Sequence, residues 1–441
     1  MPNSKIFCSA PWYELQIYWD GGLGFCCQEA HRIYPESAAQ TYNVKNMSIQ
    51  QWMDEQPMRQ VRQSMFGDQP LSICKRCYID ETLGPTSRRH KSNQKSVIFT
   101  RTAFDKSFEQ STGHQKFQYS LKNQGASPHM PIDLHIDLGN YCNLSCKMCK
   151  PEASSQIASQ YVKWGIESAQ RFVGTDWTRD QAVWERVLME LASIPKLNNI
   201  HFMGGETLIT ERFEDFLDFM IAHGRTDLNL SFVTNGTIYK PQLIEKLQLF
   251  QRIGIEVSIE SLDATNSYQR QGTDQQKLME NLRSYVAICD GSKISLTIRP
   301  AISLLTIGSY PGLLDFCLAN KFVVKNLLVT KPDYLDARNL PMPVKKLYSQ
   351  RFYNLKDKWN LQEENTARDY NESDPNEVHT IVKKEIDLCL EILSQSQSSD
   401  VEERWRNMVH WCQRWDKIYG LDARQIYPEL QATLEKYGYD V

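Results

Sequence analysis

The sequence predicts an α/β fold built on a parallel sheet, and three observations carry that expectation. Six short apolar segments alternate with amphipathic ones across residues 132–330. A polar signature follows the carboxyl end of five of these strands. The flanks have a different texture: residues 1–95 are rich in aromatics, Gly and Cys, and the chain beyond Pro343 is patterned as helix. At 441 residues the chain exceeds one compact core. The expected division is a small α+β module over 1–95, a connector over 96–130, the α/β core over 131–335 and a helical region over 336–441.

Each element has a local reason. "YELQIYW" alternates its side chains and is closed by "DGG", a hairpin signature. Residues 100–130 are polar and aperiodic, which reads as a connector. "IDLHIDL" (132–138) is the first core strand, and further strands are expected over 198–203, 228–234, 255–260, 293–299 and 324–330. Helices are expected between them over 178–193, 211–223, 241–252, 275–289 and 311–320. This order suits a barrel-like or a doubly wound sheet. Past Pro341 and Pro343, "EVHTIVKKEIDLCLEIL" and "VEERWRNMVHWCQRWDKIY" read as amphipathic helices, with Trp405, Trp411 and Trp415 as packing anchors.

Charge excludes little but leans one way. Lys and Arg number 50 against 53 acidic residues, a formal charge of -3, so a phosphate-neutralising role is not favoured. Arg88-Arg89-His90-Lys91, with Lys95, Arg101 and Lys106, is a local exception. It reads as a solvated basic linker or as a dock for an acidic peptide or phosphate. No apolar run follows Met1 or reaches membrane-spanning length, so a cytoplasmic protein is expected. There thiols stay reduced, and clustered cysteines point to metal or catalysis. Of the 12 cysteines, Cys289, Cys317, Cys389 and Cys412 fall in helical patterns and are expected as buried fillers.

The remaining cysteines are clustered. "GNYCNLSCKMCKP" places Cys142, Cys146 and Cys149 after the first strand. Gly204-Gly205-Glu206 follows the second, Thr234-Asn235-Gly236 ends the third, Glu260-Ser261 the fourth and Arg299 the fifth. In a βα barrel the carboxyl ends of the strands form the active-site face. Four-iron clusters take four thiolates, so a loop offering three leaves one iron open for another ligand. A zinc knuckle would need a distant fourth ligand. His135 and His201 are available, but each lies inside a strand without matching pair spacing.

C-x3-C-x2-C after the first strand, with GGE after the second, resembles the radical S-adenosylmethionine (SAM) superfamily over roughly residues 130–335. The resemblance implies a partial (β/α)6 TIM-like barrel and a [4Fe–4S] cluster on Cys142, Cys146 and Cys149. It implies SAM on the open iron, cleaved reductively to methionine and a 5′-deoxyadenosyl radical that abstracts a substrate hydrogen. It assigns Gly204 and Gly205 to close backbone approach, Glu206 to the methionine amino group and Met148 to the adenine. Ser258 and Glu260 match positions for the SAM carboxylate and ribose, and Arg270 resembles the arginine that pairs with the carboxylate. A surface helix arginine is the other reading of Arg270. Asn235 and Arg299 join the cofactor-binding set, Asn235 being equally readable as a turn residue. No residue is singled out as catalytic. Such an enzyme is oxygen-sensitive and takes electrons from a flavodoxin- or ferredoxin-type donor.

"CSAPWYELQIYWDGGLGFCC" followed by "CKRC" resembles the SPASM/twitch auxiliary-cluster module, here ahead of the barrel. The shortened pattern implies one auxiliary iron–sulfur cluster, of [4Fe–4S] type, on Cys8, Cys74, Cys77 and either Cys26 or Cys27. Gly21 and Gly22 both fit the glycine-to-cysteine spacing, so the choice stays open. A four-cysteine zinc site is the competing reading. "KPDYL" and "DKIYGLDARQIYPEL" resemble segments of stand-alone twitch-type proteins. The module pairing implies a ribosomally made precursor peptide as substrate, altered by a splicease-, crosslink- or epimerase-like reaction. With no winged-helix-like element at either end, a separate leader-peptide recognition protein is expected, with 340–441 as a possible dock. Two other readings stand beside this one. They are a small-molecule dehydrogenase or rearrangement enzyme acting on an amino acid or sugar, and a non-catalytic metal-binding or nucleic-acid-modifying protein.

Overall fold

The computed structural model describes residues 6–29, 31–67, 69–82, 87–101, 112–127, 129–289, 293–361, 375–395 and 400–436. They form two compact units. The first comprises Met1–Tyr141, Ile166–Phe232 and Gln242–Ile253, the second Cys142–Gly165, Val233–Pro241 and Gly254–Val441. The α/β class holds, and the alternation of parallel strands with helices agrees with a partial (β/α)6 barrel.

In the first unit the strands run in the order Leu23–Gly24, Glu14–Ile17, Asp133–Asp137, Asn199–Met203, Asn229–Thr234. All pairings are parallel except the hairpin of the first two. The register sets Leu15, Leu134, Ile200 and Leu230 in one row and Gln16, His135, His201 and Ser231 in the next. Because side chains alternate along a strand, these rows occupy opposite faces. The apolar face, continued by Phe202 and Phe232, packs on helix Glu211–Ala222, where Phe202 lies 5.1 Å from Phe213 and 4.7 Å from Phe216. Each such ring stabilises by about 1.5–3 kcal/mol. The polar face carries Glu14, Gln16, Asp133, His135, Asp137, Asn199, His201, Asn229 and Ser231.

Strand Glu14–Ile17, expected inside a separate module, pairs with Asp133–Asp137 and extends the core sheet. The hairpin uses one edge of this strand, and the other edge takes a partner more than a hundred residues away. The residues expected as a connector contribute helix Thr112–Lys122, whose Phe117 closes an aromatic cluster with Phe7 and Trp12 at 5.2 and 5.0 Å. Trp12 Nε1 donates to Ser120 Oγ at 2.7 Å. Arg88 and Arg89 are neither solvated nor free for an acidic partner. Arg88 pairs with Glu14 at 2.6 Å, and Arg89 forks onto Glu81 at 2.9 and 2.5 Å. Lys106 and the side chains of Lys95 and Arg101 lie outside the described residues.

In the second unit strand Ile294–Ile298 lies between Arg252–Val257 and Val323–Val324. The last expected strand, 324–330, is split: Leu327–Leu328 pairs instead with Ala301–Ile302. Pro300 has no N–H to continue the ladder, and its carbonyl accepts from Leu327 N at 2.8 Å. The helix expected over 241–252 stops at Leu247, and the strand after it begins at Arg252 and ends at Val257. Helices Met342–Lys358, Pro375–Ser394, Val401–Tyr419 and Pro428–Lys436 follow. Cys317, Cys389 and Cys412 are buried fillers as expected, and Trp405 and Trp415 are buried anchors. Cys289 is half-buried, at the C-cap of helix Gln275–Ile288. Trp411 stacks on Tyr334 of "KPDYL" at 5.6 Å. Among the described residues no helix is long and apolar enough to cross a membrane.

Candidate cluster-binding sites

In the second unit Cys142, Leu144 and Cys146 are buried together, with Met148 and Cys149 packed against them. The loop is held from several sides. Ser145–Cys146 bridges antiparallel to Arg270–Gln271, and Lys147 N donates to Gln269 O at 2.9 Å. Ser154 Oγ donates to Leu144 O at 3.0 Å and accepts from Ile157 N, so it ties the loop to helix Ser155–Lys163. Asn235 Nδ2 donates to Asn143 Oδ1 at 2.8 Å, while its Oδ1 accepts from Thr237. The turn asparagine therefore braces the cysteine loop. Burial pushes the Cys146 thiol up against the opposing Arg270 charge, and pushes the Cys149 thiol up too. Metal coordination reverses that balance by deprotonating the sulfur. Three thiols packed together in one loop fit a four-iron cluster with one open iron.

Arg270 is not a surface residue. It is 9% exposed and grips Glu260 with Nε–Oε2 at 2.5 Å and Nη2–Oε1 at 2.7 Å. Its Nη1 lies 3.8 Å from Cys146 Sγ. Glu260 Oε1 also accepts from Ala301 N at 3.2 Å. A bidentate buried pair of this kind fixes both side chains. Met148, Glu260 and Arg270 thus gather at the cysteines, and Asn235 reaches them through Asn143. Ser258 stands just past its strand, with its N–H on Thr234 O at 2.8 Å. Arg299 instead pairs with Glu256.

Gly204-Gly205-Glu206 belongs to the first unit. Both glycines have positive φ, and a Cβ on Gly205 would stand 1.9 Å from Tyr141 O, on Gly204 2.3 Å from Gly139 O. The close approach they permit is to the chain's own backbone, directly before Cys142. Glu206 N donates to Tyr141 O at 2.8 Å, and its buried carboxylate accepts from Leu208 N at 3.0 Å.

The upstream cysteines are also in the first unit. Cys8 is pushed up by burial and further by the charges of Cys74 and Cys77, and burial takes Cys74 to about 12. Cys26 Sγ accepts from Gln28 N at 3.4 Å. The Cys27 thiol is drawn below its usual range by a hydrogen bond from Cys26, helped by His135 and Arg88. Glu29 supports this turn: it accepts from Phe25 N and Cys26 N at 2.7 and 3.1 Å and from Tyr18 OH at 2.7 Å, and burial raises it to about 7. Sulfur donors of this number and burial fit an iron–sulfur cluster. Among the described residues no three His, Cys, Asp or Glu side chains are arranged around a single ion. A cluster does not need that, because it spreads its thiolates over separate irons.

Sequence reasoning missed the polar neighbours of Cys27. His135 Nε2 lies 3.1 Å from Arg88 Nη2, the His135 and His201 rings are 5.0 Å apart, and His201 Nδ1 bonds Ser231 Oγ at 2.7 Å. The readable signal was the alternation of "IDLHIDL", which places Asp133, His135 and Asp137 on one face.

Comparison with known proteins follows the same division. A model of the radical SAM superfamily matches residues 136–299, and a model of the SPASM iron–sulfur cluster-binding domain matches residues 8–78. No curated protein matches the chain. Among solved structures, SuiB of Streptococcus suis bound to S-adenosylmethionine is 15% identical at a TM-score of 0.35, covering 61% of this chain and 58% of that one. Native anSMEcpe with bound AdoMet is 19% identical at a TM-score of 0.39, covering 52% and 60%. SuiB bound to its precursor peptide SuiA is 13% identical at 0.35, covering 72% and 66%. The matched part thus spans about three-fifths of the first two structures. The two domain matches make [4Fe–4S] clusters and SAM the cofactors. Residues 136–299 belong to the radical SAM superfamily and residues 8–78 to the SPASM iron–sulfur cluster-binding family.

Proposed function

We propose that this protein is a cytoplasmic radical SAM enzyme that removes a hydrogen atom from a ribosomally made peptide. Cys142, Cys146 and Cys149 would hold the SAM-binding cluster. Cys8, Cys74, Cys77 and one of the pair Cys26–Cys27 would hold an auxiliary one. Bound together, cluster and SAM supply one-electron reduction and hydrogen abstraction. The chain's own residues supply placement. Arg270, locked on Glu260, presents a fixed cation beside Cys146, and this pair, with Ser258, Met148 and Asn235, is assigned to SAM. Glu206 and its two glycines are assigned to the methionine end, and Arg299 to the cofactor-binding set.

The observation that carries the substrate class is the polar face of the first unit's sheet. Among the described residues Gln16 Oε1 is buried there without a hydrogen-bond partner. A buried amide oxygen left unpaired costs about 1–3 kcal/mol. Carboxamide and imidazole side chains in adjacent rows suit a substrate whose backbone offers N–H donors at regular intervals. The electron donor is proposed to be a flavodoxin or ferredoxin, and a separate protein is proposed to deliver the peptide's leader.

The test is anaerobic co-expression with short peptides encoded beside the gene, read by mass spectrometry. A mass change that disappears in Cys142→Ala establishes a peptide maturase, and its size names the reaction. Reductive SAM cleavage without change in any peptide would move the substrate to a small metabolite. Reconstituted protein that yields no 5′-deoxyadenosine with dithionite would sink the radical reading.

A further inference from the structure

Lys147, between two of the cluster cysteines, is buried at 6% exposure. Among the described residues no carboxylate pairs with its Nζ within 4.0 Å, and Asp416, on the helix Val401–Tyr419, favours the ammonium from further off. The ammonium donates to the Tyr268 carbonyl and lies over three aromatic faces: Tyr268 at 3.6 Å, Trp415 at 5.2 Å and Tyr419 at 5.9 Å. Trp415 and Tyr419 come from helix Val401–Tyr419, Tyr268 from helix Ala264–Gln269. Two distant helices of the second unit have built a cage for one cation.

A buried ammonium with no carboxylate in contact is expensive, and π faces with one more distant carboxylate offset only part of that cost. The rest of the counter-charge is next to it in the chain. Three thiolates on a four-iron cluster make an anionic group, and an added electron makes it more so. We propose that Lys147 is the fixed counter-cation of the SAM-binding cluster and eases its one-electron reduction. The cage keeps the charge dehydrated, so its field is not screened by water. The helical C-terminal region thereby gains a task in the chemistry.

This rests on the radical SAM reading, and the experiment separates the two. Anaerobically reconstituted wild-type protein, Lys147→Met, Lys147→Arg and Trp415→Leu are poised at a series of potentials. The reduced cluster is followed by electron paramagnetic resonance, using the signal that changes when SAM is added. At a given potential Lys147→Met should show a reduced-to-oxidised ratio about tenfold lower, about 59 mV for one electron. Lys147→Arg keeps the charge and should stay within about threefold of wild type. Lys147→Met titrating with wild type overturns the inference. If Lys147→Met holds no cluster, Trp415→Leu decides. It keeps the ammonium but admits water, and should show part of the same shift; a wild-type potential there overturns the inference. A wild-type signal blind to SAM overturns the radical SAM reading and this inference with it. A SAM-responsive signal that ignores Lys147 overturns the inference alone.

Discussion

The adjacent thiols Cys26 and Cys27 are separated first by the hydrogen bond between them, which pushes Cys26 up and draws Cys27 down. Cys27 faces His135 and Arg88, which favour its anion, while Cys26 is pushed up. A sulfur already committed to an imidazole and a guanidinium is the poorer fourth ligand for the auxiliary cluster. We therefore expect Cys26→Ala to lower iron content to that of the SAM cluster alone. Cys27→Ala should load iron like wild type. Equal losses in both variants, by iron and sulfide assay, would contradict this division. Asp137, on the same sheet face, gives a pH signature. Burial raises its carboxyl from 3.8 to about 7. The folded state then holds a proton that the unfolded chain releases above about pH 4, so this contribution is full at low pH and lost as pH rises through about 7. Asp137→Asn should match wild type near pH 4 and exceed it by about 4 kcal/mol at pH 8 in urea unfolding. A constant difference across that range would show that Asp137 is not held protonated.

At the scale of the element, the GGE turn shows how a short signature hides its reason. Gly205 has φ +49, and an added Cβ would meet the Tyr141 carbonyl at 1.9 Å. Gly205→Ala must push Tyr141 away and so displace the start of the cysteine loop. The expected cost is about 3 kcal/mol, with loss of SAM-cluster iron measured beside the fall in melting temperature. Unchanged iron in a destabilised variant would separate the turn from the loop. The cysteine spacing, the glycines and the strand–helix alternation were legible because each lies within a few residues of sequence. What the glycines touch was not, since Tyr141 precedes them by more than 60 residues. The split last strand was missed for a related reason: the apolar pattern of 324–330 runs on unbroken, and only the pairing with Ala301–Ile302 shows the break. Arg270 was readable as a surface arginine or a cofactor residue because a helix pattern records its neighbours in sequence, not Glu260 and Cys146 across the fold.

At the scale of the molecule, a change of texture near residue 95 reads as a domain boundary, yet the backbone pairs across it. Glu14–Ile17 forms four parallel register pairs with residues 133–136. Ion pairs reinforce the seam: Arg88 reaches Glu14 and lies 4.0 Å from Asp133. Composition registers what a segment is made of, whereas this boundary is settled by which strand edge is left open. Deleting residues 1–95 would strip the ladder partner from Asp133–Asp137 and leave His135 and Asp137 without Arg88, Gln16 and Cys27. An unpaired, flat strand edge beside buried polar groups favours association between chains. We expect the 96–441 fragment to be insoluble or to lack cooperative unfolding by circular dichroism, while Cys74→Ala in the full chain stays soluble with the auxiliary iron gone. A folded, soluble 96–441 fragment that still cleaves SAM would show that the strand is an ornament on an independent core. The opposite result would make the auxiliary module part of the sheet that carries the His135–His201 row, so that the polar face and the second cluster rise and fall together.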